Sequence, residues 1–201
     1  MQESFKAVIF DWGGVLIDAP SLSLKQSCAE QLGTTLDKFE PLFQPFVDDF
    51  YRGLIDELTI WRSMAEQLKL PVPNYSLWGV AFEKTYTPKT AMFDMMAQLK
   101  EQGQLLGFLS NTEKAAVEFF KKQNYDFFDA TVFSCDEGLS KPGPEIYHLT
   151  LKRLGVKAQQ AIFIDDRLEN IEGCEAVGMK GILFKSEEQV REELIALGAL
   201  Q

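Results

Sequence analysis

The chain has 201 residues, of which 46% are hydrophobic and 25% are charged, which suits one sizeable core with a small accessory unit and excludes a disordered chain. Its formal net charge of -10 argues against nucleic acid and anionic membranes as partners, because both select basic surfaces. We therefore expect a small molecule as the ligand. An acidic protein can still bind phosphate where a metal ion or a few local cations reverse the field inside the pocket.

Short apolar runs and helical patterns alternate along the chain. The runs that indicate buried strands are Lys6–Phe10, Gln104–Leu109, Thr131–Phe133, Ala161–Ile164 and Gly181–Phe184. The helical patterns between and after them are Thr90–Glu101, Glu113–Lys122, Pro144–Leu154, Leu168–Val177 and Glu187–Leu197. Strands that alternate with helices predict an α/β fold with a parallel sheet and helices on both faces.

One region breaks this alternation. From about Pro20 to about Tyr86 the sequence has no convincing strand, only helical patterns at Leu24–Leu32, Leu36–Phe43 and Glu57–Leu68. We predict a core formed by residues 1–19 and 87–201, with a small all-helical cap inserted over residues 20–86.

Polar residues follow the apolar runs. Ligands of open α/β sheets bind beyond the carboxyl ends of the strands, so these positions are the ones that chemistry would use. They are Asp11-Trp12-Gly13-Gly14 after the first run, Ser110-Asn111-Thr112 after the second, Lys141-Pro142 before a helix, and Asp165-Asp166 after the fourth run. A single acidic residue there is usually a turn or a helix cap, but two adjacent carboxylates are costly without a cation.

These positions supply the parts that phosphoryl transfer requires. Asp11 is suited to be a nucleophile on an exposed turn, where the bare backbone of Gly13 and Gly14 can approach a phosphate. Ser110 and Thr112 can offer a hydroxyl and backbone N–H groups at a helix start. Lys141 can neutralise phosphoryl oxygens, and the Asp165-Asp166 pair can hold a metal ion.

The four segments FDWGGVL, FLSNT, SKPGPEIY and FIDDRLENIEGCEAVG resemble, in this order, the signatures of the haloacid dehalogenase superfamily. The resemblance runs from Ala7 to Gly178 and implies a Rossmann-like core with a helical, C1-type cap that closes over the site. It implies a Mg²⁺-dependent phosphatase of a small phosphorylated metabolite that works through an aspartyl-phosphate.

The resemblance also implies roles for single residues. Asp11 would be the nucleophile and a Mg²⁺ ligand, with the backbone carbonyl of Gly13, Asp165 and Asp166 as further ligands. Ser110 and Lys141 would act on the transferring phosphoryl group. Trp12, Gly13, Gly14, Asn111 and Thr112 would line the phosphate site, although we expect the Trp12 ring to pack in the core or against the cap. Asn111 and Asn170 are predicted to support these groups from behind.

Position 13 departs from the pattern, because related phosphatases and mutases most often carry a second Asp there as the acid–base group. Its loss costs about 10²–10⁴-fold, which a phosphate-ester enzyme can survive. The first signature is similar to that of bacterial α-D-glucose-1-phosphate phosphatases. A sugar 1-phosphate has a more acidic leaving oxygen, so it needs less help from an acid.

Other readings of the sequence stay open. A 2-haloacid dehalogenase would share the nucleophile but needs no metal pair, and a non-catalytic regulatory protein could keep the pocket. In the cap, Tyr51-Arg52-Gly53-Leu54-Ile55 is predicted either as a specificity loop, in which Gly53 permits close approach and Arg52 meets the ligand, or as a surface turn. His148, the sole histidine, is predicted to pack or lie on the surface rather than act as a base.

The three cysteines fit neither a zinc site nor a disulfide framework, since Cys28, Cys135 and Cys174 are far apart and odd in number. No segment approaches the length of a membrane span, and no targeting segment is evident. We expect a cytoplasmic protein.

Overall fold

Five parallel strands form one sheet at the centre of the computed structural model, which describes residues 4–19, 21–123 and 125–201. The strands are β1 (Ala7–Phe10), β2 (Leu105–Ser110), β3 (Ala130–Phe133), β4 (Ala161–Asp165) and β5 (Lys180–Leu183). Their order across the sheet is β3-β2-β1-β4-β5. All the carboxyl ends therefore lie at one edge, and the strand order reverses beside β1, where a ligand crevice is expected.

The strands are apolar on both faces because helices cover both. In β1, Val8 and Phe10 point into one hydrophobic cluster, whereas Ala7 and Ile9 point into another, and all four are fully buried. This alternation follows from the two-residue period of a strand. The predicted α/β fold is confirmed, and each predicted strand matches an observed one to within one residue at either end.

Eleven α-helices are present in the described residues. They are α1 (Ser21–Leu32), α2 (Leu36–Phe43), α3 (Val47–Tyr51), α4 (Glu57–Leu68), α5 (Leu77–Thr85), α6 (Thr90–Glu101), α7 (Lys114–Lys122), α8 (Ser134–Glu137), α9 (Pro144–Leu154), α10 (Leu168–Ala176) and α11 (Glu187–Ala196). The sequence patterns missed α3, α5 and α8. We call α1 to α5 the helical insert, and it contains no strand among its described residues.

Two neighbouring segments join the helical insert to the sheet. Asp18 N–H donates to the Thr87 carbonyl at 3.0 Å, and Lys89 N–H donates to the Leu16 carbonyl at 2.9 Å. An ion pair of 3.0 Å between Lys89 Nζ and Asp18 Oδ1 links the same two segments. Residue 20, where the predicted cap begins, lies outside the described residues, and the division of the chain at 19 and 87 stays a prediction.

The helical insert and the sheet share one hydrophobic core. The ring of Trp12, just after β1, lies 4.9 Å from the ring of Phe82 in α5, and Phe82 lies 5.2 Å from Phe119 in α7. These aromatic contacts hold the insert against the carboxyl edge of the sheet, so the site below is enclosed on one side by helices. Among the described residues, no helix combines the length and apolar character needed to cross a bilayer.

Candidate active site

A buried lysine joins two carboxylates at the carboxyl edge of the sheet. Lys141 Nζ lies 2.7 Å from Asp11 Oδ1 and 2.7 Å from Asp165 Oδ2, and it also donates to the Leu109 carbonyl at 3.1 Å. The Lys141 side chain is 1% exposed, so the charge of the ammonium is offset almost wholly by these neighbours. Burial alone would lower the pKa of Lys141, but Asp11 and Asp165 raise it above its usual value.

Asp165 is held from two sides. Its Oδ1 accepts from the Asn170 side chain at 2.9 Å and from the Arg167 backbone N–H at 2.9 Å, while Oδ2 accepts from Lys141. Both oxygens of Asp165 are thus already engaged. The predicted supporting contact of Asn170 is present in the structure.

A third carboxylate completes a group that can hold a metal ion. One oxygen each from Asp11, Asp165 and Asp166 lies within 4.8 Å of the others. Burial and the charge of Asp165 raise the pKa of Asp11 to about 7, against the lowering effect of Lys141. Burial and the same charge raise the pKa of Asp166. Clustered carboxylates that resist ionisation fit a hard divalent cation such as Mg²⁺, which prefers oxygen ligands.

The turn after β1 places two glycines differently. Gly13 lines the cleft between the sheet edge and the helical insert, and no backbone N–H of the described residues donates to its carbonyl, which is therefore available as a ligand. Gly14 has a φ of +85°, and a Cβ there would lie 2.1 Å from Asp166 Oδ2. Its N–H donates to the Ile17 carbonyl at 2.9 Å. The missing side chain of Gly14 makes room for Asp166, and an approach of Gly14 to a phosphate stays a prediction.

The residues after β2 have divided roles. Ser110 is the last residue of β2 and lines the cleft, as predicted. The Asn111 side chain donates to the Lys141 carbonyl at 2.8 Å and accepts from the Lys141 N–H at 2.9 Å, which fixes the lysine backbone. Thr112 also lines the cleft, but its N–H donates to Ser134 Oγ at 2.8 Å. The Thr112 N–H is therefore engaged within the protein, and a phosphate contact from the rest of Thr112 stays a prediction.

The Trp12 ring packs in the hydrophobic core, and the residue also lines the cleft. Its ring is 2% exposed and lies within 6.5 Å of the rings of Phe82, Phe108, Phe119 and Phe120. The predicted contact of the ring with the core and the insert is confirmed. One wall of the cleft is formed by this ring and by Phe82.

The predicted specificity loop is anchored to the sheet domain. Arg52 Nε donates to the Gly138 carbonyl at 3.1 Å, and its guanidinium pairs with Asp48 at 3.4 Å. A Cβ on Gly53 would lie 2.2 Å from the Cys135 carbonyl oxygen, so this glycine permits approach to α8 and not to a ligand. Arg52 and Gly53 do not line the cleft, and the prediction that Arg52 meets the ligand is wrong. Tyr51 does line it.

The cleft has a volume of about 280 Å³, and the helical insert contributes apolar side chains to its wall. They are Leu24, Tyr51 and Phe82. Tyr51 belongs to the predicted specificity loop, but the sequence patterns gave no sign of Leu24, of Phe82 or of Glu113, a buried carboxyl in the same cleft that was predicted only as the start of a helix. His148 is exposed on α9, in accord with its predicted surface position.

The sequence of the chain matches a family model and several known proteins. The family model described as haloacid dehalogenase-like hydrolase matches residues 5–178. The chain is 30% identical over 184 residues to the sesquiterpene phosphatase astK of Aspergillus oryzae, covering 90% of this chain and 91% of the relative. It is 36% identical over 94 residues to the glyceraldehyde 3-phosphate phosphatase of Pyrococcus abyssi, but these cover only 45% of this chain and 40% of that relative.

A solved structure has the same fold. It is a mutant HAD family enzyme from Bacteroides thetaiotaomicron in complex with magnesium and inorganic phosphate, with a TM-score of 0.75 and 21% sequence identity. The match covers 90% of this chain and 95% of that chain.

Proposed function

Since the chain belongs to the haloacid dehalogenase-like hydrolase family and is a phosphatase of that family, we propose that it hydrolyses a small phosphate ester with Mg²⁺ and with Asp11 as the nucleophile. One observation carries this proposal. Asp11, Lys141, Asp165 and Asp166 come from distant parts of the chain and meet at one sheet edge around a space that a cation fits.

The residues of the site divide the work of phosphoryl transfer. A carboxylate oxygen of Asp11 attacks phosphorus, and the bond between phosphorus and the ester oxygen breaks as the alcohol leaves. Water then attacks the phosphorus of the aspartyl-phosphate, which releases inorganic phosphate and restores Asp11. Lys141 holds Asp11 in place and offers positive charge to the phosphoryl oxygens, with Ser110 as a hydrogen-bond donor beside it.

Asp11, Asp166 and the Gly13 carbonyl are the groups that would hold Mg²⁺, with Asp165 behind them because both of its oxygens are engaged. Mg²⁺ supplies positive charge that offsets the carboxylates and the phosphoryl oxygens.

The decisive experiment measures hydrolysis of p-nitrophenyl phosphate with Mg²⁺ by the wild type and by Asp11→Asn. We expect Mg²⁺-dependent turnover that falls by about 10⁴-fold or more in the variant, because the amide cannot form the phosphorylated intermediate. Equal rates would defeat the enzyme proposal and favour a non-catalytic phosphate-binding protein. Loss of this activity in EDTA would exclude the metal-free chemistry of a 2-haloacid dehalogenase.

We propose a sugar 1-phosphate as the substrate class. Gly13 provides no side-chain acid for the leaving group, and an anomeric oxygen leaves more readily than an ordinary alcohol. The cleft of about 280 Å³ is at the small end for a ligand site and suits a compact ester. Turnover of sugar 1-phosphates should exceed that of sugar 6-phosphates, and a clear preference for the latter would contradict this assignment.

A second substrate class is favoured by the apolar wall of Leu24, Tyr51 and Phe82 together with the 30% identity to a sesquiterpene phosphatase. This class is a phosphate ester of a hydrocarbon alcohol. The same metabolite panel should include a short prenyl phosphate, and faster turnover of that ester than of any sugar phosphate would establish the second class instead.

A further inference from the structure

Glu113 is a buried carboxyl that the proposed chemistry leaves unused. It is the residue before α7, it is 2% exposed, and it lines the cleft three residues after Ser110. Its Oε1 is buried and has no hydrogen-bond partner among the described residues. A buried carboxyl oxygen without a partner is costly, so its presence in a ligand cleft calls for an explanation.

The surroundings of Glu113 disfavour its charged form. Burial raises its pKa to about 8 and the charge of Glu57 adds to this, while the backbone N–H groups of Glu113 and Ala116 and the side-chain N–H of Trp78 act in the opposite direction. The other titratable groups that face it are Cys28 of α1, Tyr51 of α3 and Cys135 of α8, and none of them offers a positive charge. At neutral pH the carboxyl is therefore protonated and can donate a hydrogen bond.

Glu57 provides the contrast. It is the carboxylate that adds to the shift of Glu113, yet its oxygens accept from Trp61 Nε1 at 2.7 Å, from the Trp78 N–H at 2.8 Å and from Ser76 Oγ at 2.6 Å. Glu57 does not line the cleft. Glu57 thus stabilises the helical insert through hydrogen bonds to both of its oxygens, whereas Glu113 lines the cleft and has one buried oxygen without a hydrogen bond.

The position of Glu113 decides which part of a substrate it would meet. Asp11, Lys141 and Asp166 are at the strand ends, where the phosphoryl group would bind. Glu113 lies with Tyr51, a residue of the insert that also lines the cleft. In-line attack by Asp11 directs the leaving alcohol away from the strand ends, which places it on the side of the cleft formed by the insert.

We propose that Glu113 determines specificity by donating a hydrogen bond from its carboxyl to an oxygen of the alcohol part of the substrate. This inference rests on the proposed phosphatase function and favours hydroxyl- or carbonyl-bearing esters over hydrocarbon esters. A neutral hydrogen-bond donor in an apolar wall discriminates well between the two kinds of ester. A hydroxylated ester accepts the hydrogen bond of the carboxyl, whereas a hydrocarbon ester leaves the carboxyl unpaired. A charged carboxylate in its place would repel the phosphate.

The test compares two esters that differ only in hydroxyl groups, glycerol 1-phosphate and propyl phosphate. The readout is the ratio of their kcat/KM values, which is independent of how much of a variant is folded. We expect the wild type to favour glycerol 1-phosphate by roughly tenfold or more, and Glu113→Met, which has no donor, to bring the ratio close to one. Glu113→Gln should keep part of the preference through its amide N–H.

Glu57→Gln is the matched control, since it alters the neighbouring carboxylate that lies outside the cleft, and its ratio should equal that of the wild type. The wild-type ratio should also decline above about pH 8, as the Glu113 carboxyl loses its proton, and Glu113→Gln should lack that decline. A wild-type ratio retained in Glu113→Met, or the same alkaline decline in Glu113→Gln, would overturn the proposal.

Infrared spectroscopy separates this inference from the proposed function. The carbonyl band of a protonated carboxylic acid should be present at pH 7 in the wild type and reduced in Glu113→Gln, whether or not any ester is hydrolysed. Turnover of p-nitrophenyl phosphate without selectivity for the hydroxylated ester would refute the role of Glu113 and leave the phosphatase intact. Absence of all turnover would refute the phosphatase.

Discussion

The two walls of the cleft are built on opposite principles. The strand-end wall is charged, and its members satisfy one another: Lys141 bridges Asp11 and Asp165 within 2.7 Å, and Asn170 steadies Asp165. The insert wall is apolar, and Glu113, which faces it, has an oxygen without a partner. Under the proposed function, the charged wall would bind the phosphoryl group whatever its alcohol, whereas the other wall would meet the alcohol.

The difference teaches where stability and selectivity reside. The charges at the strand ends are buried and neutralise one another. Removal of one charged side chain therefore leaves its partners buried without an opposite charge. Contacts across the insert wall are apolar or surface contacts. Single substitutions there should lower the free energy of unfolding less, and they should alter the fit of the substrate rather than the phosphoryl chemistry. Two substitutions test this contrast and a third tests the junction between the insert and the sheet domain, taken from the largest expected effect to the smallest.

Lys141→Met should be the most damaging change, because it leaves Asp11 and Asp165 buried without a cation. We expect the free energy of unfolding of the metal-free protein to fall by about 3–5 kcal/mol and kcat to fall by at least about 100-fold. Urea denaturation and p-nitrophenyl phosphate turnover measure the two effects. Lys114→Met, which removes an exposed partner of Asp136, is the control and should cost less than about 1 kcal/mol. Equal losses in the two variants would show that the buried network contributes no more than a surface pair.

Glu113→Gln should change the pH dependence of stability. The Glu113 carboxyl has a pKa near 4.5 when unfolded and about 8 when folded, so its favourable contribution is complete below pH 4.5 and is lost as pH rises towards 8. The variant does not titrate there. Relative to wild type it should gain roughly 2–4 kcal/mol between pH 5 and pH 8.5, as judged by urea denaturation at both values. Parallel pH profiles for the two proteins would mean that Glu113 is ionised in the folded state.

Gly53→Ala should cost about 1–3 kcal/mol, because its φ of +68° strains any other residue and a Cβ would meet the Cys135 carbonyl. Arg52→Ala alters the same junction through exposed contacts with Asp48 and Gly138, and it should cost less than about 1 kcal/mol. Thermal denaturation of both variants ranks them. A larger loss in Arg52→Ala would show that the junction is held by the guanidinium rather than by close backbone packing.

The residues of the strand-end wall could be predicted from the sequence because a local rule places most of them. Asp11, Ser110 and the Asp165-Asp166 pair each end or directly follow an apolar run, and parallel strands carry such positions to one edge. Lys141 precedes a helix instead, and its place came from the resemblance. Asp11, Ser110 and Asp165 could therefore be placed together without knowledge of any side-chain contact.

The remainder of the cleft depends on contacts between residues that are distant in sequence, which no local pattern predicts. Glu113 looks like an ordinary helix start until Cys28, Tyr51 and Glu57, distant in sequence, bury it. Gly14 was correctly recognised as a site of close approach, and the group beside it in the structure is Asp166. A glycine in the sequence can indicate a close contact, but only the tertiary structure shows which group makes that contact.

The acidic surface has a kinetic consequence for a phosphatase. At the mouth of the cleft, Arg167 is exposed, but its guanidinium pairs with Glu169, so little cationic attraction is left to oppose a net charge of -10. Under the proposed function, a phosphate dianion should therefore be repelled during diffusional approach and be held only after it reaches the buried lysine. Added salt screens this repulsion over a Debye length of about 10 Å at 0.1 M, so encounter with substrate should accelerate with ionic strength, the reverse of electrostatic steering.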